Sequence, residues 1–274
     1  MKILVTGAGG QLGRSLPAAL LAHDVTALAR VELDIADLAR VRAAVAAHAP
    51  AVVVNAAAWN RVDDAESERD QAFRANALGP RNLALAAAEC GAALLHVSTD
   101  YVFDGELGRP YDEFDRPEPR SVYGASKLAG ENLVRETNPR HWIVRTAWVF
   151  HEEGQNFLRT MLRLAASAAE LRVVNDQIGS PTYAPHLATG IARLIDSGAF
   201  GTYHIAGAGQ ASWHELTCAL LARRGIDKKV VPVSTAEFPR PAPRPRFSAL
   251  VSHMDPRIEL PPWQDGLAAF CARL

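Results

Sequence analysis

The chain has 274 residues, of which 49% are hydrophobic, so it is long enough for one large domain and a smaller lobe. Its 29 basic and 30 acidic residues leave a formal net charge of −1, so we expect no nucleic-acid partner. No stretch approaches the ~18 apolar residues of a membrane span. The three cysteines have no metal-ligand spacing, and the N-terminus has no signal-peptide pattern. The composition predicts a cytoplasmic protein without a membrane partner.

The first half of the chain alternates short β-branched segments with alanine-rich helical segments. The predicted strands are Lys2–Thr6, Val25–Ala29, Ala51–Asn55, Ala92–Ser98 and Trp142–Arg145. The predicted helices are Leu12–Ala22, Leu38–Ala47, Asp70–Cys90, Gly124–Thr137 and Asn156–Ser167. Continuously apolar strands that alternate with helices predict an α/β fold with a Rossmann-type, doubly wound parallel sheet. Ligands of such sheets bind at the carboxyl ends of the strands.

The second half of the chain is less regular and richer in proline. We expect a dinucleotide-binding domain from 1–150, joined by one helix and one strand from about 184–205. The rest of 151–274 is predicted to form a smaller, C-terminal substrate-binding lobe. Long loops are predicted at Asp176–Pro185, Gly207–Ser212 and Phe238–Ser252. The prolines of Pro239–Arg246 prevent a helix and favour an extended arm.

A glycine-rich turn follows the first predicted strand and opens the first predicted helix. Gly7, Gly10 and Gly13 have the spacing Gly-x-x-Gly-x-x-Gly, and Gln11 and Leu12 precede the last glycine. Glycine allows the backbone to approach a phosphate closely, and the free N–H groups of a helix N-terminus attract an anion. The pattern predicts that these five residues bind the diphosphate of a dinucleotide. A glycine-rich turn without a ligand is the alternative.

The adenosine end of the cofactor is predicted at the second strand. Arg30 stands where an acidic residue would contact the ribose of NAD, and a cation there favours the 2′-phosphate of NADP. A solvated surface arginine is the alternative for Arg30. Asp34 and Ile35 follow and are predicted to border the adenine. We therefore expect NADPH as cofactor, with NADH as the alternative.

Small residues after the third predicted strand indicate the nicotinamide end. Asn55 ends that strand, and Ala56, Ala57 and Ala58 follow it. Because alanine has a small side chain, the backbone can pass close to the nicotinamide half of the cofactor. The alternative, a run of alanines that starts a helix, is weakened by the strand before it.

Thr99, Tyr123 and Lys127 form the predicted catalytic group. If residues 123–127 are helical, the phenol and the ammonium lie on one face, one turn apart. Free tyrosine has a pKa near ~10, and a nearby ammonium lowers that pKa. Thr99, at a strand end, is predicted to hydrogen-bond the substrate oxygen or the phenol. The group predicts carbonyl reduction, with hydride from a nicotinamide and a proton from Tyr123, while Lys127 contacts the nicotinamide ribose. An exposed helix pair is the alternative.

Segments along almost the whole chain resemble those of a known protein family. They are Gly7–Gly13, Asn55–Ala58, Val62–Glu66, Ser98–Gly105, Tyr123–Glu131, Arg145–Phe150, Gly154–Phe157, Asn175–Thr182 and Arg244–Leu250. They resemble the extended short-chain dehydrogenase/reductase superfamily and, within it, the family of dTDP-4-dehydrorhamnose reductases. The resemblance implies NADPH-dependent reduction of the C4 keto group of dTDP-4-dehydro-L-rhamnose to dTDP-L-rhamnose. A small-molecule nucleotide sugar is therefore the expected partner.

The resemblance also implies which residues bind the substrate. These are Thr99, Asp100, Trp148, Asn156, Gln177 and Arg244. Core packing is the alternative for Trp148, and loop packing is the alternative for Gln177 and Ser248. Arginine suits a diphosphate because its planar guanidinium binds two oxygens at once. Some members dimerise around magnesium. We assign no metal ligands here, and we expect a monomer or homodimer.

The sequence departs from the family pattern at three places and allows three alternative functions. Trp59–Asp64, Ala147 and Phe150–Glu153 differ from the family, which leaves the identity of the 4-keto sugar open. A 4,6-dehydratase needs a carboxylate where Tyr101 stands. An epimerase would consume no NADPH. A non-catalytic NADP-binding regulatory subunit is a third alternative, and the intact catalytic group argues against it.

Overall fold

A six-stranded parallel sheet forms the centre of the protein in the computed structural model, which describes residues 1–274. Its strands are β1 (Lys2–Thr6), β2 (Asp24–Leu28), β3 (Val52–Asn55), β4 (Ala93–Thr99), β5 (His141–Thr146) and β10 (Gly201–His204). Their order is β2-β1-β3-β4-β5-β10, and every neighbouring pair is parallel. The Rossmann-type, doubly wound sheet predicted from the sequence is confirmed.

Helices cover both faces of the sheet. The helices are α1 (Gln11–Ala19), α2 (Leu38–His48), α3 (Val62–Ser67), α4 (Arg69–Phe73), α5 (Gly79–Glu89), α6 (Val122–Thr137), α7 (Phe157–Ser167), α8 (Ala184–Ser197), α9 (Trp213–Arg223) and α10 (Trp263–Ala272). Alternate residues of β1 point to opposite faces. Ile3 and Val5 pack with α1 and α8, whereas Leu4 packs with α2 and α5. None of the helices is long and apolar enough to cross a membrane.

The strand order reverses at β1. The chain passes from β1 to β2 on one side and then returns to β3 on the other. In such sheets a crevice opens between the carboxyl ends of the two strands at this switch point. Gly7, just after β1, and Asn55, the last residue of β3, lie at this crevice. The order of the strands therefore places the glycine-rich turn at the natural ligand site of the fold.

The helix predicted at Asp70–Cys90 is interrupted. The chain forms α4, then a π-helical turn at Arg74–Leu78, then α5. Asn76 in this turn is fully buried. Its Oδ1 accepts a hydrogen bond from the Trp59 N–H over 2.8 Å, and its Nδ2 donates to the Ser126 hydroxyl over 3.0 Å. The turn therefore ties the segment after β3 to α6. Helix α1 also ends at Ala19, three residues before the predicted end at Ala22.

The second half of the chain builds a smaller lobe around α7, α9 and α10. Its short strands are β6 (Val149–Phe150), β7 (Leu171–Val174), β8 (Ile178–Gly179), β9 (Thr182–Tyr183), β11 (Ala211–Ser212) and β12 (Val230–Val233). They pair as β7 with β12, β8 with β11 and β6 with β9. Three of them lie in segments predicted as loops. Phe150, Leu158, Leu220 and Phe270 form part of the lobe's core.

Two parts of the second half return to the large sheet or to its ligand edge. Helix α8 covers the sheet, and β10 extends it beside β5. The proline-rich arm forms no helix. Its end, at Pro245, lies against Gly105 in the segment after β4. The residues that follow the arm bond to the same segment, because the Phe247 N–H donates to the Gly105 carbonyl and the Tyr111 N–H donates to the Ala249 carbonyl. The arm therefore reaches the edge of the sheet where ligands bind.

Candidate active site

Two adjoining cavities lie at the carboxyl ends of the sheet strands. The first measures about 380 Å³, and its lining includes Gly10, Gln11, Leu12, Ala56, Ala58, Thr99, Asp100, Tyr123, Lys127, Trp148 and Asn156. The second measures about 360 Å³, and its lining includes Gly7, Gly10, Arg30, Asp34, Ile35, Ala56, Ala57 and Ala58. Gly10, Ala56 and Ala58 line both cavities. The structure therefore brings almost all of the predicted site residues together in one continuous cleft.

The glycine-rich turn has the shape that a dinucleotide needs. Gly7 has a φ of +78°, and a Cβ there would lie 2.5 Å from the Ala57 nitrogen. Helix α1 begins after Gly10, which offers no capping side chain, and its first turn has no acidic residue. Gly13 lines neither cavity but packs against the turn, because a Cβ there would lie 2.1 Å from the Gly7 carbonyl oxygen. The free N–H groups of α1 fit an anionic diphosphate.

Gln11 adds a second indication of a ligand. Its Oε1 is buried and has no hydrogen-bond partner. Buried polar atoms in proteins are nearly always satisfied by a partner. Because Gln11 lines the first cavity, a hydroxyl or amide of a bound cofactor fits this free acceptor.

The second cavity ends in charged residues that suit an adenosine ribose. Arg30 is exposed at its rim, Asp34 is partly buried and Ile35 is buried. The structure adds Arg74, which comes from the π-helical turn. Its guanidinium lies 3.9 Å from the Asp34 carboxylate. Sequence patterns had no means of placing Arg74 here, because its position depends on the interrupted helix.

The predicted catalytic group is assembled from β4 and the start of α6. Thr99 is the last residue of β4. Helix α6 begins after Ser121, whose hydroxyl accepts a hydrogen bond from the Gly124 N–H over 3.1 Å. Tyr123 and Lys127 lie in the first two turns of α6 and point into the same cavity as Thr99. A Cβ at Gly124 would lie 2.1 Å from the Tyr101 carbonyl oxygen, so glycine allows α6 to approach the end of β4.

Burial controls the charges of this group. It raises the pKa of Tyr123 above its ordinary value, so the lowered pKa predicted from the nearby ammonium is wrong for the folded chain. Desolvation dominates, and the neighbouring Thr99 hydroxyl opposes the rise only in part. Burial also lowers the pKa of Lys127 to about 8, while the Glu131 carboxylate opposes the decrease. The Lys127 ammonium donates to the Val97 carbonyl over 2.7 Å. The phenol is therefore protonated at neutral pH, as a proton donor must be, and Lys127 is mostly charged.

A buried ion pair holds α6 against the sheet. Glu131, one turn after Lys127, accepts hydrogen bonds from Arg145 over 3.0 and 2.8 Å and from Ser98 over 2.5 Å. Burial raises the pKa of the Glu131 carboxyl, but Arg145 and Arg135 hold it below its ordinary value. These contacts link α6 to β4 and β5. They therefore fix the position of Lys127 relative to the carboxyl ends of these strands.

The indole of Trp148 is packed on both faces. Trp148 has a φ of +46°, which is rare for a residue other than glycine. One face of the indole stacks on Trp213, with ring centroids 3.4 Å apart and an interplanar angle of 4°. The other lies against Gly179, where a Cβ would come within 2.3 Å of the indole. Because both faces are covered, the edge of the indole is what remains for the cavity.

Three further predicted substrate residues are already engaged. The Asn156 side chain caps α7 by accepting from the Arg159 N–H, and it still lines the first cavity. Gln177 lines neither large cavity, because its buried amide is bonded to Trp213 and Thr235. Arg244 also lines neither cavity.

The position of Arg244 follows from its ion pair. Its guanidinium binds both oxygens of Asp63, over 2.8 and 3.0 Å. Asp63 lies in α3, so the pair connects the proline-rich arm to the segment after β3. No group of three or more His, Cys, Asp or Glu residues is arranged to hold a metal ion.

Comparison with known proteins agrees with this geometry. The family model described as RmlD substrate binding domain matches residues 1–274. A dTDP-4-dehydrorhamnose reductase of Streptomyces griseus is 47% identical over 256 residues, covering 90% of this chain and 84% of the relative. The spore coat polysaccharide biosynthesis protein SpsK of Bacillus subtilis is 43% identical over 251 residues, covering 91% of this chain and 88% of the relative.

Solved structures give the same result. A dTDP-4-dehydrorhamnose reductase from Clostridium acetobutylicum has a TM-score of 0.97 at 42% identity, covering 100% of this chain and 99% of its own. One from Bacillus anthracis, in complex with NADP, has a TM-score of 0.97 at 40% identity with the same coverage. The resemblance inferred from the sequence is confirmed. The chain belongs to the dTDP-4-dehydrorhamnose reductase family, a family of sugar-nucleotide oxidoreductases.

Proposed function

We propose that this protein reduces the C4 keto group of dTDP-4-dehydro-L-rhamnose to give dTDP-L-rhamnose, with NADPH as the reductant. One observation carries the proposal. Thr99, Tyr123 and Lys127 converge at the end of β4, in a cavity that continues along the glycine-rich turn. A carbonyl placed there meets a proton donor and a cofactor site at once. Identities of 40–47% to reductases of this substrate support the choice of sugar.

The residues of the cleft suit NADPH. Gly7, Gly10, Gln11 and Leu12 are proposed to hold the diphosphate against the N-terminus of α1, and Gly13 is proposed to support them by packing against the turn. The NADP bound to the relative from Bacillus anthracis supports this cofactor. When bound, the cofactor supplies hydride to the substrate carbon.

The two ends of the cofactor are assigned from the two cavities. Arg30, Asp34 and Ile35 are proposed to bind the adenosine end, because they line the cavity farther from Tyr123. The backbone of Ala56–Ala58 is proposed to face the nicotinamide half, because this segment lies where the two cavities meet. In this arrangement the reactive end of the cofactor lies beside the catalytic group.

The chemistry of this chain is proton transfer and charge stabilisation. The Tyr123 phenol donates its proton to the carbonyl oxygen as that oxygen becomes an alkoxide. The Lys127 ammonium stabilises the phenolate that remains and contacts the nicotinamide ribose. Thr99 orients the same oxygen through its hydroxyl. Burial in a largely apolar cavity strengthens each of these interactions, because few water molecules screen them.

The lobe and the arm are proposed to bind the sugar nucleotide, while the large sheet domain binds the dinucleotide. Asp100, Trp148 and Asn156 line the catalytic cavity and are proposed to contact the sugar. Gln177 and Arg244 are proposed to lie on the nucleotide side. To bind a diphosphate, Arg244 must share its guanidinium with Asp63 or leave it.

The experiment is an assay of NADPH oxidation with dTDP-4-dehydro-L-rhamnose generated in situ, with NADH as the control cofactor. Rapid oxidation with dTDP-L-rhamnose as the product supports the proposal. NADPH binding without reduction of this sugar contradicts the proposed substrate. Other 4-keto-6-deoxy sugar nucleotides are then assayed, and failure with all of them favours a non-catalytic NADP-binding subunit.

A further inference from the structure

A buried histidine lies next to the proposed catalytic lysine, Lys127. His96 is on β4 and has no solvent-exposed surface. Its Nδ1 lies 3.0 Å from the Nδ2 of Asn55, and its Nε2 lies 3.5 Å from the Nζ of Lys127. Its imidazole therefore bridges the last residue of β3 and the catalytic group on α6.

The partners of Asn55 determine which ring nitrogen of His96 carries the hydrogen. Oδ1 of Asn55 accepts from the backbone N–H of Ala57 over 3.0 Å and from the Thr6 hydroxyl over 2.8 Å. A backbone N–H is always a donor, so the amide oxygen must face Ala57 and the amide NH2 must face His96. Nδ1 of His96 is then the acceptor. The neutral ring carries its hydrogen on Nε2, which faces Lys127.

The ring is neutral at physiological pH. Burial holds the pKa of His96 well below its ordinary value, and the positive charges of Lys127 and Arg135 lower it further. An imidazolium here would place a second cation against Lys127 with no carboxylate beside the ring. The Nε2–H of a neutral His96 therefore faces the Nζ of Lys127.

We infer that His96 is a positioning residue that disfavours the ammonium form of Lys127 by directing an N–H bond at its Nζ. An N–H dipole directed at an ammonium is repulsive, whereas a neutral amine can accept its hydrogen. Only the effect of this arrangement on turnover rests on the proposed function. The tautomer and the ionisation of Lys127 are properties of the folded chain.

Two groups near Lys127 act against His96. Glu131 favours the ammonium form, but Arg145 and Arg135 bind its carboxylate and contribute positive charge of their own. On the other side, the Val97 carbonyl accepts from Nζ. The titratable and charged groups in this neighbourhood are Tyr123, Glu131 and Arg135 on α6, His96 on β4, Asp100 after β4, and Arg145 on β5.

The same chain of hydrogen bonds reaches the cofactor cleft. Ala57, which sets the orientation of Asn55, lines the second cavity. A ligand that moves the backbone of Ala57 would therefore act on Asn55, then on His96, and finally on Lys127. Asn55 and His96 are fully buried, so solvent cannot replace them in this path.

The test measures the ionisation of Lys127 directly. The chain has four lysines, so protein labelled with ¹³C at the lysine Cε gives few NMR resonances. Lys127→Arg identifies the resonance of Lys127. In His96→Asn, the new amide oxygen can still accept from Asn55, and the N–H facing Lys127 is removed. We expect the titration midpoint of Lys127 to rise by roughly half to one pH unit. An unchanged midpoint would overturn the inference.

A matched control and a second measurement keep the test decisive. His141→Asn removes a partly buried imidazole at the start of β5 that hydrogen-bonds Asn138 instead, and we expect no change at Lys127. In the wild-type protein, ¹⁵N NMR of the imidazole identifies the protonated nitrogen. Protonation at Nε2 of His96 supports the inference, and protonation at Nδ1 overturns it even if His96→Asn does not fold.

Turnover separates this inference from the proposed function. If both hold, the alkaline limb of kcat/KM for NADPH oxidation moves to higher pH in His96→Asn by the same amount as the NMR midpoint. If wild-type protein reduces no sugar nucleotide, the proposed function fails while the NMR measurements still decide the role of His96. A limb that stays in place while the midpoint moves overturns the link between Lys127 and turnover.

Discussion

The hydroxyl of Thr99 donates its single hydrogen to Oδ1 of Asp100 across 3.0 Å. The other carboxylate oxygen accepts from the Ser248 hydroxyl over 2.6 Å, and the whole group is buried. Because that hydrogen is engaged, a hydrogen bond from Thr99 to the phenol oxygen of Tyr123 has to compete with the bond to Asp100. A substrate carbonyl that enters the cavity must compete with Asp100 for the hydrogen of Thr99.

Asp100 is expected to cost stability when it is ionised. Burial raises its pKa to about 6 from an ordinary value of 3.8. The protonated carboxyl therefore stabilises the fold below the unfolded-state pKa, and this contribution is lost as the pH rises through about 6. Asp100→Asn removes the charge. We expect it to raise the free energy of unfolding by up to about 3 kcal/mol at pH ~8, with the difference vanishing near pH ~4.

Urea denaturation of both proteins across this pH range measures the effect. Other titrating groups are common to the two proteins and cancel in the difference. A gain for Asp100→Asn that is equal at both ends of the range would show that the charge of Asp100 is not its cause.

Tyr123→Phe tests the proton donor. The phenyl ring keeps the edge-to-face contact with Tyr101, whose centroid lies 5.6 Å away, so the fold is retained. We expect turnover to fall by roughly 10²–10⁴, the usual contribution of a positioned general acid. Steady-state NADPH oxidation measures it. Tyr203→Phe is the control, because the Tyr203 hydroxyl bonds the Ala199 and Asp255 carbonyls away from the cavity. Near-wild-type turnover of Tyr123→Phe would exclude the assigned role.

The pH dependence of reduction should reflect Lys127. Its ammonium supports the forming phenolate, and burial lowers its pKa to about 8. The charge is present below that pH and is lost above it, so kcat/KM should fall at alkaline pH with a half-point near 8. Profiles from about pH 6 to 10 measure this limb. Lys127→Arg keeps its charge over the whole range, so its weaker activity should lack the limb.

Arg30 is expected to set the preference between NADPH and NADH. Its guanidinium lies at the rim of the adenosine cavity, where a 2′-phosphate would approach it. Arg30→Ala should lower kcat/KM for NADPH about tenfold, because a charge-assisted hydrogen bond at an exposed site contributes about 1.5 kcal/mol. NADH should be little affected. Arg40→Ala is the control for net charge, because exposed Arg40 bonds the Glu32 carbonyl and lines neither cavity. Equal losses with both cofactors would argue against this role.

Local chemistry explains why much of this protein was predictable. β1 was predicted with the bounds it has, because a short apolar segment followed by glycine is readable without tertiary contacts. The glycine-rich turn and the Tyr123–Lys127 spacing are likewise short-range patterns. Parallel strands then bring their carboxyl ends to one edge, so Thr99 and Gly7 had to lie at the same edge of the sheet.

The interrupted helix shows where short-range patterns no longer predict the structure. A run of good helix formers predicts one helix from Asp70 to Cys90, but Asn76 binds Trp59 and Ser126 and imposes a π-helical turn. That requirement comes from residues 17 and 50 positions away along the chain. The position of Arg74 depends on the geometry of this turn. Its place in the second cavity, the proposed adenosine site, could therefore not be predicted from the sequence either.

The sequence by itself determined the order of strands and helices, the glycine-rich turn and the spacing of the side chains proposed to be catalytic, because each depends on neighbouring residues. Only the tertiary structure decided their environment. It covered both faces of Trp148, engaged Arg244 with Asp63 and placed His96 behind Lys127. Burial and long-range hydrogen bonds set the charge of a group, and both arise only when distant segments pack together.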